Sequence, residues 1–139
     1  MGIISTNSAS AFSEARNWMK ENLPHLKEGK DFELTQTVPV RIVVLGRNVV
    51  LCNYQKEALS VSFERVDDGG FICSHSQLKS MKGFPEKVAF FDCSFCKGIV
   101  SLDGVPKEVN GDFCVVGCGK KFSEEDIRAK CDVKGNVYC

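Results

Sequence analysis

The feature that most constrains this chain is a three-residue step that returns at nearly equal intervals. Each step is an apolar residue, a variable residue and a small apolar residue, and the steps begin at positions 50, 71, 91, 113 and 137, which are 21, 20, 22 and 24 residues apart. A period of about 20–50 residues is typical of folds in which each repeat buries its apolar face against its neighbours. The spacing therefore predicts a solenoid, and the chain length of 139 residues suits one domain, residues 1–139.

The alternation of side chains along each repeated strand predicts which residues are buried. Phe91 and Cys93 should share an inward face, and Phe90 and Asp92 should point outward. By the same parity the candidate partner-binding residues on the outer strip are Leu51, Ile72, Phe90, Asp92, Val116 and Tyr138. This strip is apolar for a surface, as interaction sites often are. In the alternative, the N-terminal helix or the 25–45 segment packs over the strip and makes it core.

A longer repeated frame lies between the steps in the second half of the chain. Residues 78–88 read LKSMKGFPEKV and residues 99–109 read IVSLDGVPKEV. The shared glycine, at Gly83 and Gly104, can adopt the left-handed backbone angles that bend the chain out of one coil. The proline two positions later holds an extended path and has no N–H to donate to a sheet. The frame thus predicts a bend and an extended arc in each coil.

This frame resembles the short leucine-rich-repeat-like units, of the form LxSLxGxPxxVxGxFxCS, of tailed bacteriophages and some bacteria. The resemblance covers residues 59–139, with two units that match well and two that match poorly. It implies an α+β, mainly β fold of leucine-rich-repeat-like stacked β-coils over residues 78–139. It also implies an accessory, early protein of a bacteriophage that binds and modulates a host protein in the cytoplasm of the host cell.

One helix is predicted near each end of the chain. Residues 9–23 carry one apolar stripe at helical spacing, and Pro24 ends it. This helix is expected to cover the first end of the stack, and the alternative is a partner-binding helix anchored by Trp18. Residues 122–130 form a short C-terminal helix in the prediction, with Ser123 as the N-cap.

The β-strand segment 38–76 leaves two architectures open. The runs 40–45 and 49–52 are rich in β-branched residues, and the three residues between them suit a hairpin loop. Residues 59–63 alternate strictly, and residues 71–74 follow a strong turn signal. An antiparallel meander and two irregular repeat coils both explain this pattern.

The cysteines provide an alternative hypothesis. The pairs Cys93-x-x-Cys96 and Cys114-x-x-x-Cys118 have the spacing of a four-thiolate zinc site, which would make a zinc-stabilised module that binds nucleic acid or protein. The repeat opposes this, because it places Cys93 and Cys114 on opposite faces of their strands. A redox role for the Cys93–Cys96 pair is disfavoured because no helical stripe follows it. Without an export signal, we expect the eight cysteines to be reduced thiols or metal ligands in a cytosol and not disulfides.

Composition disfavours several classes of function. Eighteen basic and eighteen acidic residues cancel, which makes nucleic-acid binding by bulk charge an unfavoured hypothesis. No apolar run approaches the length of a membrane span. The chain shows no acid–base or phosphate-binding motif that would indicate an enzyme. The sequence therefore predicts a cytoplasmic, non-enzymatic protein-interaction module without a cofactor, whose partner is a protein.

Overall fold

Short strands that alternate between two sheets form the body of this protein. The computed structural model describes residues 2–139, with side chains from residue 9 onward. In chain order the elements are α1 (Gly2–Asn22), β1 (Phe32–Leu34), β2 (Arg41–Leu45), β3 (Val49–Val50), β4 (Ser62–Asp67), β5 (Gly70–Ile72), β6 (Lys87–Val88), β7 (Phe90–Asp92), β8 (Glu108–Val109), β9 (Phe113–Cys114), α2 (Glu124–Lys130), β10 (Asp132–Val133) and β11 (Val137–Tyr138). The described chain is mainly β with two helices.

Strands β2–β11 wind into a β-solenoid of about four turns. One sheet, sheet A, has the order β1-β2-β4-β6-β8-β10, and the other, sheet B, has the order β11-β9-β7-β5-β3. All pairings among β2–β11 are parallel, and β1 pairs with β2 in the antiparallel direction. Each coil gives one strand to each sheet, so a step in sequence becomes a layer in space. The predicted stack of β-coils is confirmed.

Aromatic rings on successive coils are superposed in the core. Phe71 pairs with Phe91 across sheet B, and Phe91 pairs with Phe113. The ring centroids of Phe91 and Phe113 are 5.0 Å apart, and those of Phe71 and Phe91 are 6.5 Å apart. The column ends at Val137, which pairs with Phe113. The repeated step therefore has the predicted inward phase from the second coil onward.

The first coil is one residue out of phase with the prediction. Val49 pairs with Phe71, so the column begins at Val49 and Val50 points outward. Leu51 is consequently buried, with 3% of its surface exposed, and the prediction that it lies on the outer strip is wrong. Cys52 is exposed and does not continue the buried column. A shift of one residue moves a strand's side chains to the opposite face, because the side-chain period of a strand is two.

The N-terminal strands follow the coil arrangement that was one of two open alternatives. The predicted hairpin is not formed, because β2 belongs to sheet A and β3 to sheet B. Gly46, with a φ of +69°, lies at the corner between the two strands. The strand predicted at 59–63 begins only at Ser62, where β4 pairs in parallel with β2.

The N-terminal helix covers the first coils. It is longer than the predicted 9–23 and ends at Asn22. Trp18 is buried and packs edge-on against Phe63, with ring centroids 5.7 Å apart. Its indole Nε1 donates a hydrogen bond of 3.2 Å to the hydroxyl of Tyr54. Trp18 therefore belongs to the core and is not an exposed anchor. Among the residues that the structure describes, neither helix has the length and apolar character of a transmembrane span.

The short helix α2 is bound to the last coil. The hydroxyl of Ser123 accepts a hydrogen bond of 3.0 Å from the N–H of Asp126, as the predicted cap requires. The guanidinium group of Arg128 donates to the carbonyls of Val133, at 2.8 Å, and Gly135, at 3.0 Å. These bonds satisfy carbonyl groups at the strand that ends sheet A.

Candidate interaction surface

The outer face of sheet B carries the largest group of exposed apolar side chains among the described residues. We define this outer face as the side chains that point away from the core on the sheet B strands and at the residues next to them. Its apolar members are Val50, Ile72, Phe90, Cys114, Val116 and Tyr138. An exposed apolar group of this kind marks a site of interaction more often than a random surface does.

The residues of the outer face form a continuous row across the coils. The strand register places Val50 beside Ile72, Ile72 beside Asp92, Asp92 beside Cys114 and Cys114 beside Tyr138. Because hydrogen-bonded strands lie about 4.8 Å apart, the row is about 19 Å long. A row of this length can contact several consecutive residues of a partner.

The side chain of Phe90 lies beside this row and across the backbone of the preceding coil. A Cβ built at Gly70 would lie 2.4 Å from the Phe90 ring, so the ring occupies the space that a larger residue would fill. The N–H of Gly70 donates to the side-chain oxygen of Asn48 at 2.8 Å. The absence of a side chain at Gly70 therefore leaves room for the aromatic ring.

The outer face is not covered by the segments that the alternative hypothesis named. Helix α1 packs on Phe63 and Tyr54 in the core, and the antiparallel strand β1 extends sheet A. Val50 keeps 45% of its surface exposed, Phe90 36% and Tyr138 47%. The predicted residues Ile72, Phe90, Asp92, Val116 and Tyr138 all lie on this face, and Leu51 does not. Val50 was missed, although its distance of 22 residues from Ile72 equals the interval between Asp92 and Cys114.

Two carboxylates are the charged groups of the outer face. Asp92 accepts a hydrogen bond of 3.0 Å from the N–H of Ser94, and Asp112 accepts one of 2.9 Å from the N–H of Asn136. Neither carboxylate takes part in an ion pair with another described residue. Both groups are thus held in place by the backbone, and their charge is not neutralised by a neighbour.

The outer face of sheet A has the opposite character. It is crossed by charged side chains that pair with one another. These pairs include Arg65–Asp67 at 3.0 Å, Lys87–Glu108 at 3.6 Å and Lys134–Asp132 at 2.7 Å. Exposed pairs of this kind contribute little to stability, but they keep a face hydrated. The two sheets of the solenoid therefore present one charged and one largely apolar surface.

A corner next to the outer face carries residues that the sequence analysis did not predict. Asn53, His75, Phe95 and Gly117 follow the sheet B strands on successive coils, and all four have a φ between +59° and +72°. The rings of His75 and Phe95 stack, with centroids 4.9 Å apart and an interplanar angle of 17°. Phenylalanine rarely adopts left-handed backbone angles, so residue propensities did not predict this conformation. The repeated spacing of these four positions is the signal that could have found them.

The buried cysteines form a sulfur cluster between the second and third coils. The Sγ atoms of Cys73 and Cys93 are 3.0 Å apart, and those of Cys93 and Cys96 are 3.5 Å apart. Burial raises the pKa of the Cys73 thiol well above its ordinary value. Hydrogen bonds to Cys73 and Cys96, together with burial, raise the pKa of the Cys93 thiol. We interpret the cluster as part of the core, where cysteine packs as a small apolar residue.

The four cysteines of the zinc hypothesis are divided between the interior and the surface. Cys93 and Cys96 are buried, whereas Cys114 points outward and contacts the hydroxyl of Ser94 at 2.8 Å. The thiol of Cys118 donates to the carbonyl of Cys93 at 3.1 Å. Within the described part of the chain, no group of three or more His, Cys, Asp or Glu side chains is arranged to hold a metal ion. Cys139 holds the same place in the last repeated step as Cys93 in the third, and it is exposed whereas Cys93 is buried.

The thiol of Cys131 should make the stability of the protein depend on pH in the alkaline range. Burial raises the pKa of this thiol from 9.0 to about 11. Between these two values the unfolded chain loses the proton and the folded chain keeps it, so the free energy of unfolding must fall as the pH rises from 9. We expect the loss from this group to reach roughly 2 kcal/mol at pH 11.

Urea titrations of the reduced protein from pH 8 to pH 11 measure this loss. Cys131→Ala should give a shallower decline of stability with pH than the unmodified protein. Cys139→Ala, at an exposed cysteine, is the matched control and should leave the decline unchanged. Identical pH profiles for Cys131→Ala and the unmodified protein would contradict the prediction.

Comparison with known proteins does not assign this chain to a family. No protein-family model, curated protein or solved structure matches it. We therefore infer function from the residues of the chain and from the surfaces that the solenoid creates.

Proposed function

We propose that this protein is a non-enzymatic binding module whose outer face of sheet B contacts a protein partner. The observation that carries the proposal is the outward row that runs in register across all five strands of sheet B and is apolar on four of them, with Asp92 on the central strand. Burying apolar surface contributes about 25 cal/mol per Å², so covering this row would favour association. A stack of coils is also a suitable scaffold, because its repeats hold the contact residues at regular intervals.

The leucine-rich-repeat-like frame supports a narrower proposal. Proteins with such units occur in tailed bacteriophages, and a small binding module without catalytic motifs suits an accessory protein. We therefore propose that the partner is a protein of the host cell, which this protein binds in the host cytoplasm and modulates.

Replacement of the outer-face side chains tests the proposal. The triple variant Ile72→Ala, Phe90→Ala and Tyr138→Ala should capture the partner at least about tenfold more weakly, because a buried apolar hot spot contributes about 2 kcal/mol or more. The measurement is affinity capture from a bacterial lysate with quantitative mass spectrometry, followed by titration of the captured protein. Far-UV circular dichroism should be unchanged, because all three side chains lie outside the main core.

The matched control alters the opposite sheet. It combines Lys87→Ala, Glu108→Ala and Asp132→Ala on the outer face of sheet A, and it should retain full capture. Unchanged capture by the triple variant of sheet B, or equal losses from both triple variants, would remove the outer face of sheet B as the binding site.

A further inference from the structure

We infer that the outer face of sheet B binds an extended polypeptide segment that carries lysine or arginine among apolar side chains. This inference rests on the proposed function and specifies the chemistry of the partner. It follows from the charge of the face, from the position of its two carboxylates and from the cost of covering them.

The charge of the outer face has one sign. Parallel rows of outward side chains cross sheet B, from the row that contains Asn48 to the row that contains Cys52. Every side chain in these rows is apolar, polar and uncharged, or acidic. Asp92 and Asp112 are the acidic ones, and neither forms an ion pair with another described residue. A partner of complementary charge must therefore present cations to this surface.

The positions of the two carboxylates indicate how the cations would be spaced. Asp92 lies opposite Cys114, and Asp112 immediately precedes β9, two residues before Cys114. The two aspartates are therefore diagonal neighbours, about 8 Å apart for a strand spacing of about 4.8 Å and a two-residue rise of about 6.6 Å. Alternate residues on an extended chain are separated by about 6.8 Å, a distance close enough for long basic side chains to reach both carboxylates. Basic side chains two residues apart on an extended segment would match both carboxylates.

The surroundings of the carboxylates disfavour an uncharged or acidic partner. Asp92 stands in the row between Ile72 and Cys114, and Asp112 lies next to Phe90. A partner that covers the apolar residues must also remove water from the carboxylates. Dehydrating an unpaired charge costs several kcal/mol, whereas a cation placed beside it offsets much of this cost. The face should therefore discriminate by charge as well as by apolar contact.

Selection from a library of random displayed peptides tests this inference. The unmodified protein should enrich peptides with Lys or Arg two positions apart and with aliphatic or aromatic neighbours. The selected peptides, made synthetically, should bind the double variant Asp92→Asn, Asp112→Asn at least about tenfold more weakly, as expected for a loss of charged contacts at an interface. Their binding should also weaken as the salt concentration rises.

The double variant keeps the fold, because an asparagine side-chain oxygen can still accept the backbone hydrogen bonds of Ser94 and Asn136. The matched control Asp67→Asn, Asp132→Asn changes the net charge equally on the outer face of sheet A and should bind the peptides normally. Peptides without basic residues, or full binding by the Asp92, Asp112 variant, would overturn the inference.

The same peptides separate this inference from the proposed function. The selected peptides could show no preference for basic residues and still lose binding to the Ile72, Phe90, Tyr138 triple variant. In that case the outer face remains the site and only its charge preference is wrong. If the selected peptides bind that triple variant fully, the proposed function fails with the inference. A selection that enriches no peptide contradicts both.

Discussion

The substitution Phe91→Ala should lower the free energy of unfolding by about 3–5 kcal/mol, the range for removing a buried aromatic ring. Phe91 is in the middle of the core column, and its ring centroid lies 5.0 Å from that of Phe113, 5.9 Å from that of Phe84 and 6.5 Å from that of Phe71. The cavity would lie between coils that contact only their neighbours, so the loss cannot be shared over the whole stack. Urea titration followed by circular dichroism measures the change.

A matched phenylalanine on the surface provides the control. Phe95 follows the same sheet B strand but remains 44% exposed. Phe95→Ala should therefore lower the free energy of unfolding by no more than about 1 kcal/mol, since it leaves no cavity in the core. Trp18, which packs at the first coils, offers a second signal by fluorescence. A Phe91→Ala loss as small as that of Phe95→Ala would show that the aromatic column is not the main source of stability.

The substitution Gly104→Ala should lower the free energy of unfolding by about 2–4 kcal/mol, because backbone strain and steric overlap act together. Gly104 has a φ of +87°, in the left-handed region that residues with a Cβ disfavour. A Cβ at this position would lie 2.6 Å from the carbonyl oxygen of Met81 and 2.7 Å from its carbon. These are backbone atoms of the preceding coil, so they cannot rotate away as a side chain could.

Gly29 separates the two causes of this loss. Its φ is +85°, nearly that of Gly104, but a Cβ there would meet no atom within 4 Å. Gly29→Ala should therefore show only the cost of the left-handed backbone, about 1–2 kcal/mol. Urea titration of both variants gives the difference, which we assign to the close approach of consecutive coils. Equal losses at the two glycines would mean that the coils have room for a side chain at this bend.

The sequence predicted the phase of the later coils because their residues differ strongly in character. In each of the steps Phe71-Ile72-Cys73, Phe91-Asp92-Cys93 and Phe113-Cys114-Val115, a large aromatic residue marks the inward position. The parity of these steps and of Val137-Tyr138-Cys139 placed five of the six predicted residues on the outer face. The first coil has no such mark, because Val49, Val50 and Leu51 are all aliphatic and of similar size. The sequence pattern alone could not show which side chains of the first coil point inward. The predicted phase of that coil was therefore wrong by one residue.

Other properties of the molecule depend on contacts between distant parts of the chain. The exposure of the outer face follows from where the N-terminal helix packs, and Trp18 places that helix on Phe63 and Tyr54. The left-handed corner at His75 and Phe95 follows from the turn that every coil must make and from the stacking of two rings 20 residues apart.

The sequence by itself determined that equal intervals would become stacked coils, which side chains of the second to fourth coils would form the core, and where the coils would bend. These are consequences of local periodicity and of glycine and proline stereochemistry, which act within one repeat. Only the tertiary structure decided which sheet each strand joins, which face stays uncovered and that the two carboxylates on that face form no ion pair with another described residue. Those properties depend on parallel pairing between coils about 20 residues apart, and no local pattern specifies that pairing.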